Sequence, residues 1–463
     1  PLTSDNDAAV YQSRQIKIQA KLYLPLVWLV GGMANDDKTT NRRQFLTKVG
    51  VGSVAVGIGT IGLAGCQQGH ESKSDRQTEH TPKPNSPPNP KQAGEQNTNV
   101  KHCLADNQYD FYGKHQAGII TPAQRSIYFL VLDLHTDKLD DIKEVFKQWT
   151  QYAARLTKGD NIAPYGSNPH VPPVDTGEAD SLGAYGLTLT FGVSPSFLQK
   201  LNLTDKKPPE FSDLPKFPRD QIRPEYSGGD ICIQACSDDP QVSFHAVRQL
   251  VRQARSSVSM RWSQSGFLGF DSGNQTARNL FAFKDGTANS NTLDHADKHV
   301  WIQQPDWLKD GTYLVVRRIQ MHLETWDRTS LNGQDETFGR HRDSGAPIGQ
   351  SDEFAHLDIT AKDDEGNFII PEISHAGLAK RSGLQLLRRS YSYASGIDPK
   401  TGQFDAGLLF ISFQKSPMQF TAIQSSLGRV DKMNEYITHI GSGLFACFGG
   451  VKQGEYLGQK LFE

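Results

Sequence analysis

Three residues in the second half of the chain combine an acid, an imidazole and a fixed cation. Asp285 lies in the string NLFAFKDGTAN, where the Asp-Gly dipeptide is typical of a tight turn. His375 lies in PEISHAGL, and Arg388 lies in LRRSYSY. A positioned carboxylate can move a proton, an imidazole can bind a metal, and a guanidinium stays charged and can stabilise an anion. These residue types together favour an active site at which a bond breaks and the cation stabilises the negative charge that develops.

The same strings resemble the dye-decolorizing peroxidase family, in particular its EfeB-like deferrochelatase/peroxidase branch. The resemblance covers roughly residues 109 to 463. The turn matches the family's G-x-x-D-G motif except at the first position, where this chain has Ala282. Four further strings agree with it: FYGKHQAGI, GGDIC, ETWDR and GRHRDSGAPIG. The resemblance implies one haem b per subunit, and the chain has no C-x-x-C-H string, so covalent attachment of haem is not expected.

The resemblance also implies a role for each of the three residues. Asp285 is expected to be the distal acid–base that carries a proton between the oxygens of hydrogen peroxide. Arg388 is expected to be the distal cation that stabilises the leaving oxygen. His375 is expected to be the proximal ligand of the haem iron. Alternation along a strand turns Arg389 to the other face, but a register shifted by one residue would give the role of Arg388 to Arg389.

Further residues are expected to contact the cofactor. The resemblance places three residues of the Asp285 turn on the distal side of the haem: Gly286, Thr287 and Ala288. It makes Lys380 and Arg381 candidate partners of the haem propionates. On chemistry alone, His115 and His341 are competing ligand candidates, although the family places the iron elsewhere.

Three functions remain open at this level. The first is a haem peroxidase that reduces hydrogen peroxide and oxidises dye-like or phenolic organic donors, with an acidic pH preference that the resemblance implies. The second is a deferrochelatase that releases iron from haem and leaves the porphyrin intact, with components of an iron-uptake system as partners. The third is a haem-binding lipoprotein without catalysis, which would need neither a distal acid nor a distal cation.

The first hundred residues have the composition of an export signal and a tether. The string TNRRQFLTK carries a twin-arginine motif, and an uncharged, Gly-rich segment (residues 49–64) follows it. The segment ends in LAGC, which resembles a lipobox that would acylate Cys66; ordinary cleavage near the same point is the alternative. We expect residues 1–66 to be the signal region, with the true start at Met33. The expected location is the periplasm or cell envelope, with membrane contact only through the lipid anchor.

Residues 67–105 are polar and rich in proline, so they cannot bury enough apolar surface to order themselves. They predict a disordered linker. Behind it, the pattern of apolar residues predicts a β-α-β-β-α-β order twice. The sequence therefore predicts an α+β protein with two ferredoxin-like domains, at residues 106–300 (carrying the Asp285 motif) and 301–463. Haem is expected in the C-terminal half, near the domain seam.

Predicted strands cover residues 126–134, 187–193, 230–235 and 257–270 in the first half, and 312–326, 386–393, 408–413 and 444–448 in the second. Predicted helices cover residues 140–156, 240–254, 334–340 and 420–437.

Composition excludes some other classes. The net charge of −2 argues against a nucleic-acid partner, because phosphate binding requires concentrated lysine and arginine. Five cysteines are present, and the pair Cys232 and Cys236 is interpreted as two small core residues. The sequence does not give the oligomeric state, and a homodimer is one open alternative.

Overall fold

The computed structural model of the chain describes residues 104–269 and 276–463. The twin-arginine motif, Cys66 and all of the predicted linker except residues 104 and 105 lie outside these ranges. The strands are β1 Ser126–Leu134, β2 Thr188–Val193, β3 Ile231–Ser237, β4 Val258–Phe267, β5 Thr312–Met321, β6 Leu387–Arg388, β7 Tyr391–Ile397, β8 Phe404–Gln414 and β9 Ile437–Cys447.

The helices of the described residues are α1 Leu139–Leu156, α2 Pro195–Lys200, α3 Pro240–Ala254, α4 Leu293–His299, α5 Leu323–Trp326, α6 Leu331–Phe338, α7 His375–Arg381, α8 Pro417–Val430 and α9 Gln459–Phe462. Short 3₁₀ turns occur at Thr204–Lys206, Pro224–Tyr226 and Lys432–Glu435. None of the helices in the described part of the chain has the length and apolar character needed to cross a membrane.

The first half of the chain forms a four-stranded antiparallel sheet of the predicted ferredoxin-like type, and the second half forms an equivalent sheet in which β6 and β7 together take the place of one strand. The first half has the strand order β2-β3-β1-β4, and the second has β9-β5-β8 with β6 and β7 along the far side of β8. Strands β2 and β9 pair at one junction, and β4 and β7 pair at the other. The two sheets therefore form one continuous ring of strands, and the prediction of two ferredoxin-like domains is confirmed.

Strand β1 shows how this arrangement fixes the core. Its alternate residues Leu130 and Leu132 pack into a cluster with the apolar faces of α1 and α3. The intervening residues Phe129 and Val131 pack against side chains of the second sheet. Both faces are therefore covered, which explains why β1 has a nearly continuous run of apolar residues instead of alternation with polar ones.

The predicted element boundaries hold best where capping and periodicity agree. Strand β1 and helix α3 have the predicted limits, and α3 begins with Pro240 behind the capping residue Asp239. The strand predicted to run to Trp326 ends at Met321, because a short helix follows it. The helix predicted for residues 420–437 is wrong at its end: α8 stops at Val430, and Ile437 already begins β9.

The three cysteines of the described residues are buried and free, namely Cys232, Cys236 and Cys447. This agrees with the interpretation of Cys232 and Cys236 as core residues.

Candidate functional site

A cavity of about 580 Å³ lies against the second sheet. Alternate residues of β5 line its floor, namely Arg317, Ile319 and Met321. Strand β8 pairs in register with β5, so that Leu408 lies beside Ile319 and Phe410 beside Arg317. Both of these β8 residues also line the cavity, whose lining comes entirely from residues 279–439. The cavity is therefore built by the second half of the chain and the turn that precedes it.

Helix α8 forms an apolar wall of the cavity. The residues that face it are spaced as one side of a helix: Phe420, Ile423, Gln424 and Leu427. The helix is fixed at its start by a capping box, in which the Ser416 side chain accepts from the N-terminal backbone and Gln419 accepts from the Ser416 N–H (3.1 Å). Local sequence thus sets both the position and the apolar face of this wall.

Asp285 lies in a tight turn held by its own backbone. The Asp285 N–H donates to the Ala277 carbonyl (2.8 Å), and the Asn289 N–H donates to the Gly286 carbonyl (2.8 Å). Gly286 has φ of 132°, a conformation that suits glycine. Ala282 also has a positive φ, 68°, at the position where the G-x-x-D-G motif has glycine. The left-handed backbone conformation at this position therefore explains the glycine of the motif, and alanine in the same conformation is strained.

Two phenylalanines anchor this turn on either side of Ala282. Phe281 packs against Trp326 with ring centroids 4.5 Å apart. Phe283 stacks on Phe338 at 3.9 Å with nearly parallel rings. Both phenylalanines are fully buried, so the turn is held by apolar packing as well as by hydrogen bonds.

Arg388 and Asp285 form an ion pair at the cavity wall, with Nη1 2.7 Å from Oδ1. Asn289 fixes the backbone of Arg388 from both sides, since its Nδ2 donates to the Arg388 carbonyl (2.7 Å) and its Oδ1 accepts from the Arg388 N–H (2.8 Å). Arg389 points the other way and donates to backbone carbonyls at Thr121 and Pro122. The structure thus brings Asp285 and Arg388 together, and it leaves Arg389 on the opposite face of the strand.

His375 is the first residue of α7 and also lines the cavity. Its Nδ1 lies 2.7 Å from Oδ2 of Asp431, a carboxylate with only 2% of its side chain exposed. Burial lowers the pKa of His375, but the charge and hydrogen bond of Asp431 outweigh burial and raise the pKa above its ordinary value. Among the described residues, Nε2 has no hydrogen-bond partner. The arrangement orients the ring so that Nε2 is the nitrogen available to a ligand.

Asp431 is a functional residue that sequence reasoning missed. It directly follows α8, and its Oδ1 accepts from the Met433 N–H (2.9 Å) in the 3₁₀ turn Lys432–Glu435. The carboxylate is therefore fixed by the end of one helix and directed at the start of another. No local motif marks it, because 56 residues separate it from His375 in sequence.

Comparisons with known proteins agree with this geometry. The profile described as "Dyp-type peroxidase, N-terminal" matches residues 116–268, and the one described as "Dyp-type peroxidase, C-terminal" matches residues 276–452. The deferrochelatase of Escherichia coli O157:H7 is 35% identical over 428 residues, which cover 88% of this chain and 95% of the relative. The chain belongs to the Dyp-type peroxidase family.

Solved structures of Dyp-type peroxidases are similar to this chain as well. DtpA from Streptomyces lividans, solved as an oxyferrous complex, is 35% identical with a TM-score of 0.73, covering 78% of this chain and 99% of DtpA. A DyP-type peroxidase from Streptomyces coelicolor is 34% identical with a TM-score of 0.73, covering 78% of this chain and 98% of that protein. This Dyp-type peroxidase is therefore an enzyme of the haem peroxidase class.

Of the other predicted contacts, Gly286, Thr287, Ala288 and Lys380 line the cavity. Arg381 does not: its guanidinium donates to the Glu372 carbonyl (2.6 Å). The structure therefore gives Arg381 no place among the groups that face the cavity.

The two competing histidines also lie away from the cavity lining. The ring of His115 stacks on Trp301 at 3.8 Å. Nδ1 of His341 lies 2.9 Å from a carboxylate oxygen of Asp335. Both rings therefore have structural partners of their own.

The cavity suits a flat apolar ligand that carries carboxylates, as haem does. Its walls are mainly apolar, and the cationic side chains that line it besides Arg388 include Lys284, Arg340 and Lys380. Arg317 lines it as well, fully buried, and its Nε has no partner among the described residues. Burial, then the charges of Arg317 and His375, lower the pKa of His439 to about 3, so this cavity residue is neutral near neutral pH. The residues present therefore fit haem.

Proposed function

We propose that this chain is a haem b peroxidase that reduces hydrogen peroxide through Asp285 and Arg388, with one non-covalently bound haem per subunit. The observation that carries the proposal is the 2.7 Å ion pair of Asp285 and Arg388 on the cavity that His375 also lines. Haem, when bound, would supply a redox-active iron and the electrons that reduction of peroxide requires. His375, through Nε2, is the residue that would hold it, with Arg340 and Lys380 as candidate partners of its propionates.

The side chains of this protein then have separate tasks. Asp285 accepts the proton from the inner oxygen of hydrogen peroxide and returns it to the outer oxygen, so that water can leave. Arg388 stabilises the negative charge that develops on the leaving oxygen, and its bond to Asp285 holds the carboxylate in place. Asp431 accepts a hydrogen bond from Nδ1–H of His375, which would make Nε2 a stronger ligand for iron. Dye-like or phenolic molecules are the proposed organic donors.

Stopped-flow mixing of the haem-loaded protein with hydrogen peroxide tests the proposal. Asp285→Asn and Arg388→Leu should each slow the reaction at least a hundredfold, because each removes a group that acts at the transition state. Lys452→Ala is the control, because Lys452 is exposed and lies near the C-terminus. Arg389→Leu would be a poor control, because it removes the buried hydrogen bonds that Arg389 donates to backbone carbonyls. If both site variants react as fast as the parent, the assignment of the distal groups is wrong.

A second function has its own support, because the curated relatives are named deferrochelatase. Iron release from haem requires that two protons replace the metal ion on the porphyrin nitrogens, and Asp285 is the carboxyl group that would deliver them from the cavity wall. The assay is porphyrin fluorescence after incubation with haem and a reductant. Free protoporphyrin supports iron release within an iron-uptake system, whereas unchanged haem or ring-opened products contradict it.

We further propose that residues 1–66 direct export by the twin-arginine route to the periplasm or cell envelope, and that residues 67–105 act as a tether. Replacing Arg42 and Arg43 with lysine should retain the protein in the cytoplasm, as measured by cell fractionation. If Cys66 is acylated, the variant Cys66→Ser should no longer be found in the membrane fraction. Equal amounts of parent and variant in that fraction would contradict lipidation.

A further inference from the structure

Glu353 lies beside the Asp285 turn, and its carboxylate contacts two residues of that turn and one residue shortly before it. Oε1 accepts hydrogen bonds from the hydroxyls of Thr276 and Thr287, the latter at 2.9 Å. Oε2 accepts from Nζ of Lys284, the residue directly before Asp285. Only 10% of the Glu353 side chain is exposed. One buried carboxylate therefore binds the turn both before and after Asp285.

The segment that carries Glu353 is itself fixed against the turn. Nη1 of Arg340 donates to the carbonyls of Gly345 (2.7 Å) and Glu353 (3.1 Å). Gly345 has φ of 79°, and a Cβ there would lie 2.7 Å from Cδ of Lys284. The lysine stem thus packs directly on this backbone, and only glycine fits the contact.

Charges at this end of the cavity are sorted into two separate pairs. Asp285 pairs with Arg388 at 2.7 Å, and Glu353 pairs with Lys284. Burial raises the pKa of Glu353, but the bonds from Lys284, Thr276 and Thr287 outweigh it and hold the pKa below its ordinary value, so Glu353 stays ionised. Without this partner, Lys284 would be a largely buried, unpaired cation next in sequence to Asp285 and on the lining of the same cavity.

We propose that Glu353 is a positioning residue for Asp285: it fixes the turn through Thr276 and Thr287, and it keeps Lys284 away from the Asp285 carboxylate. This inference rests on the proposed function for the role of Asp285 in the reaction. The structural part, that Glu353 restrains the turn and sequesters Lys284, stands on the hydrogen bonds alone.

The test uses the full chain, with and without haem, and the variant Glu353→Gln. Hydrogen exchange followed by mass spectrometry measures the protection of peptides covering residues 276–289, including the 2.8 Å backbone bonds made by Asp285 and Asn289. Stopped-flow mixing with hydrogen peroxide measures the rate of the loaded protein. Glu178→Gln is the matched control, because Glu178 is 18% exposed, pairs with Arg248 at 3.2 Å and does not line the cavity.

Glu353→Gln should speed exchange in residues 276–289 about tenfold, since a charge-assisted set of bonds is lost, while other peptides keep their protection. The reaction with peroxide should slow about tenfold, with little change in KM for an organic donor. Glu178→Gln should change neither. Adding Lys284→Met to Glu353→Gln should recover part of the peroxide rate, because the unpaired cation is gone.

Thr287→Val, which removes one of the three bonds, should give a smaller change in the same direction and covers the case in which Glu353→Gln does not fold. Unchanged exchange in residues 276–289, or a loss of protection spread evenly over the chain, would overturn the positioning role. If the double variant reacts more slowly than Glu353→Gln alone, the proposal that Glu353 keeps Lys284 away from the Asp285 carboxylate is wrong. Asp285→Asn is measured in parallel: parental peroxide rates in that variant would refute the proposed function, while the exchange data would still report on Glu353.

Discussion

Ala282→Gly should stabilise the protein. Ala282 has φ of 68°, a left-handed conformation that costs an L-residue about 1–2 kcal/mol relative to glycine. Glycine loses more chain entropy on folding, by roughly 0.5–1 kcal/mol. The difference predicts a net stabilisation of about 0.5–1 kcal/mol, because the backbone of the turn keeps the same hydrogen bonds.

Differential scanning calorimetry of the full chain measures this change. With an unfolding entropy of about 2 cal/mol/K per residue over roughly 350 ordered residues, the expected increase in Tm is about 1 °C. Ala154→Gly in α1 is the matched control, because glycine inside a helix costs about 1 kcal/mol. The same chemical change should therefore raise Tm at position 282 and lower it at position 154.

The reaction with peroxide should be unaffected by Ala282→Gly, because Phe281 and Phe283 still anchor the turn on either side. A Tm equal to or below that of the parent would contradict the predicted stabilisation. It would mean either that Ala282 is not left-handed or that the surrounding packing selects alanine at this position.

Two further changes test the site, and a third tests a buried ion pair outside the cavity lining. Asp431→Asn should weaken haem binding about 10–100-fold in a spectroscopic titration, since the axial histidine loses its charged partner; unchanged affinity would contradict this. Asn289→Ala should slow the peroxide reaction about tenfold, because it removes two hydrogen bonds to the distal arginine, and a parental rate would show that the strand alone holds the arginine. Hydrogen bonds from the backbone of Lys400 and from Arg223 lower the pKa of Asp398 to about 2, so its stabilising effect is present above pH 4 and is lost as pH falls through 2. Asp398→Asn should therefore lower Tm by roughly 3 °C at pH 6, a difference that should shrink between pH 4 and pH 2; a constant difference would contradict this.

The fold was predictable because its elements have strong local signals. The spacing of apolar residues predicted the type and the order of these elements, although the start of α8 at its capping residue Ser416 lies before the predicted start at residue 420. The limits failed where the chain changes from strand to helix without a glycine or proline, as after Met321. There the apolar pattern continues through the junction, and only tertiary packing decides where the strand ends.

The candidate site also contains both residues that the sequence could predict and residues that it could not. The turn of Asp285 and the strand of Arg388 carry motifs that the family resemblance could identify. Asp431 and Glu353 could not be found, because each contacts the site from a distant segment and neither lies in a recognisable string. Their roles follow only from the distances that the fold creates.

The proposed function requires that this chain binds haem through His375 and reacts with peroxide at that centre. The most direct test is the absorption spectrum of the haem-loaded full chain and of His375→Ala, before and after one equivalent of hydrogen peroxide. The parent should show a ferric Soret band that changes within milliseconds of mixing, and His375→Ala should lose the parental band. A parent that binds haem but does not respond to peroxide would contradict the peroxidase, and identical spectra for both proteins would contradict His375 as the iron ligand.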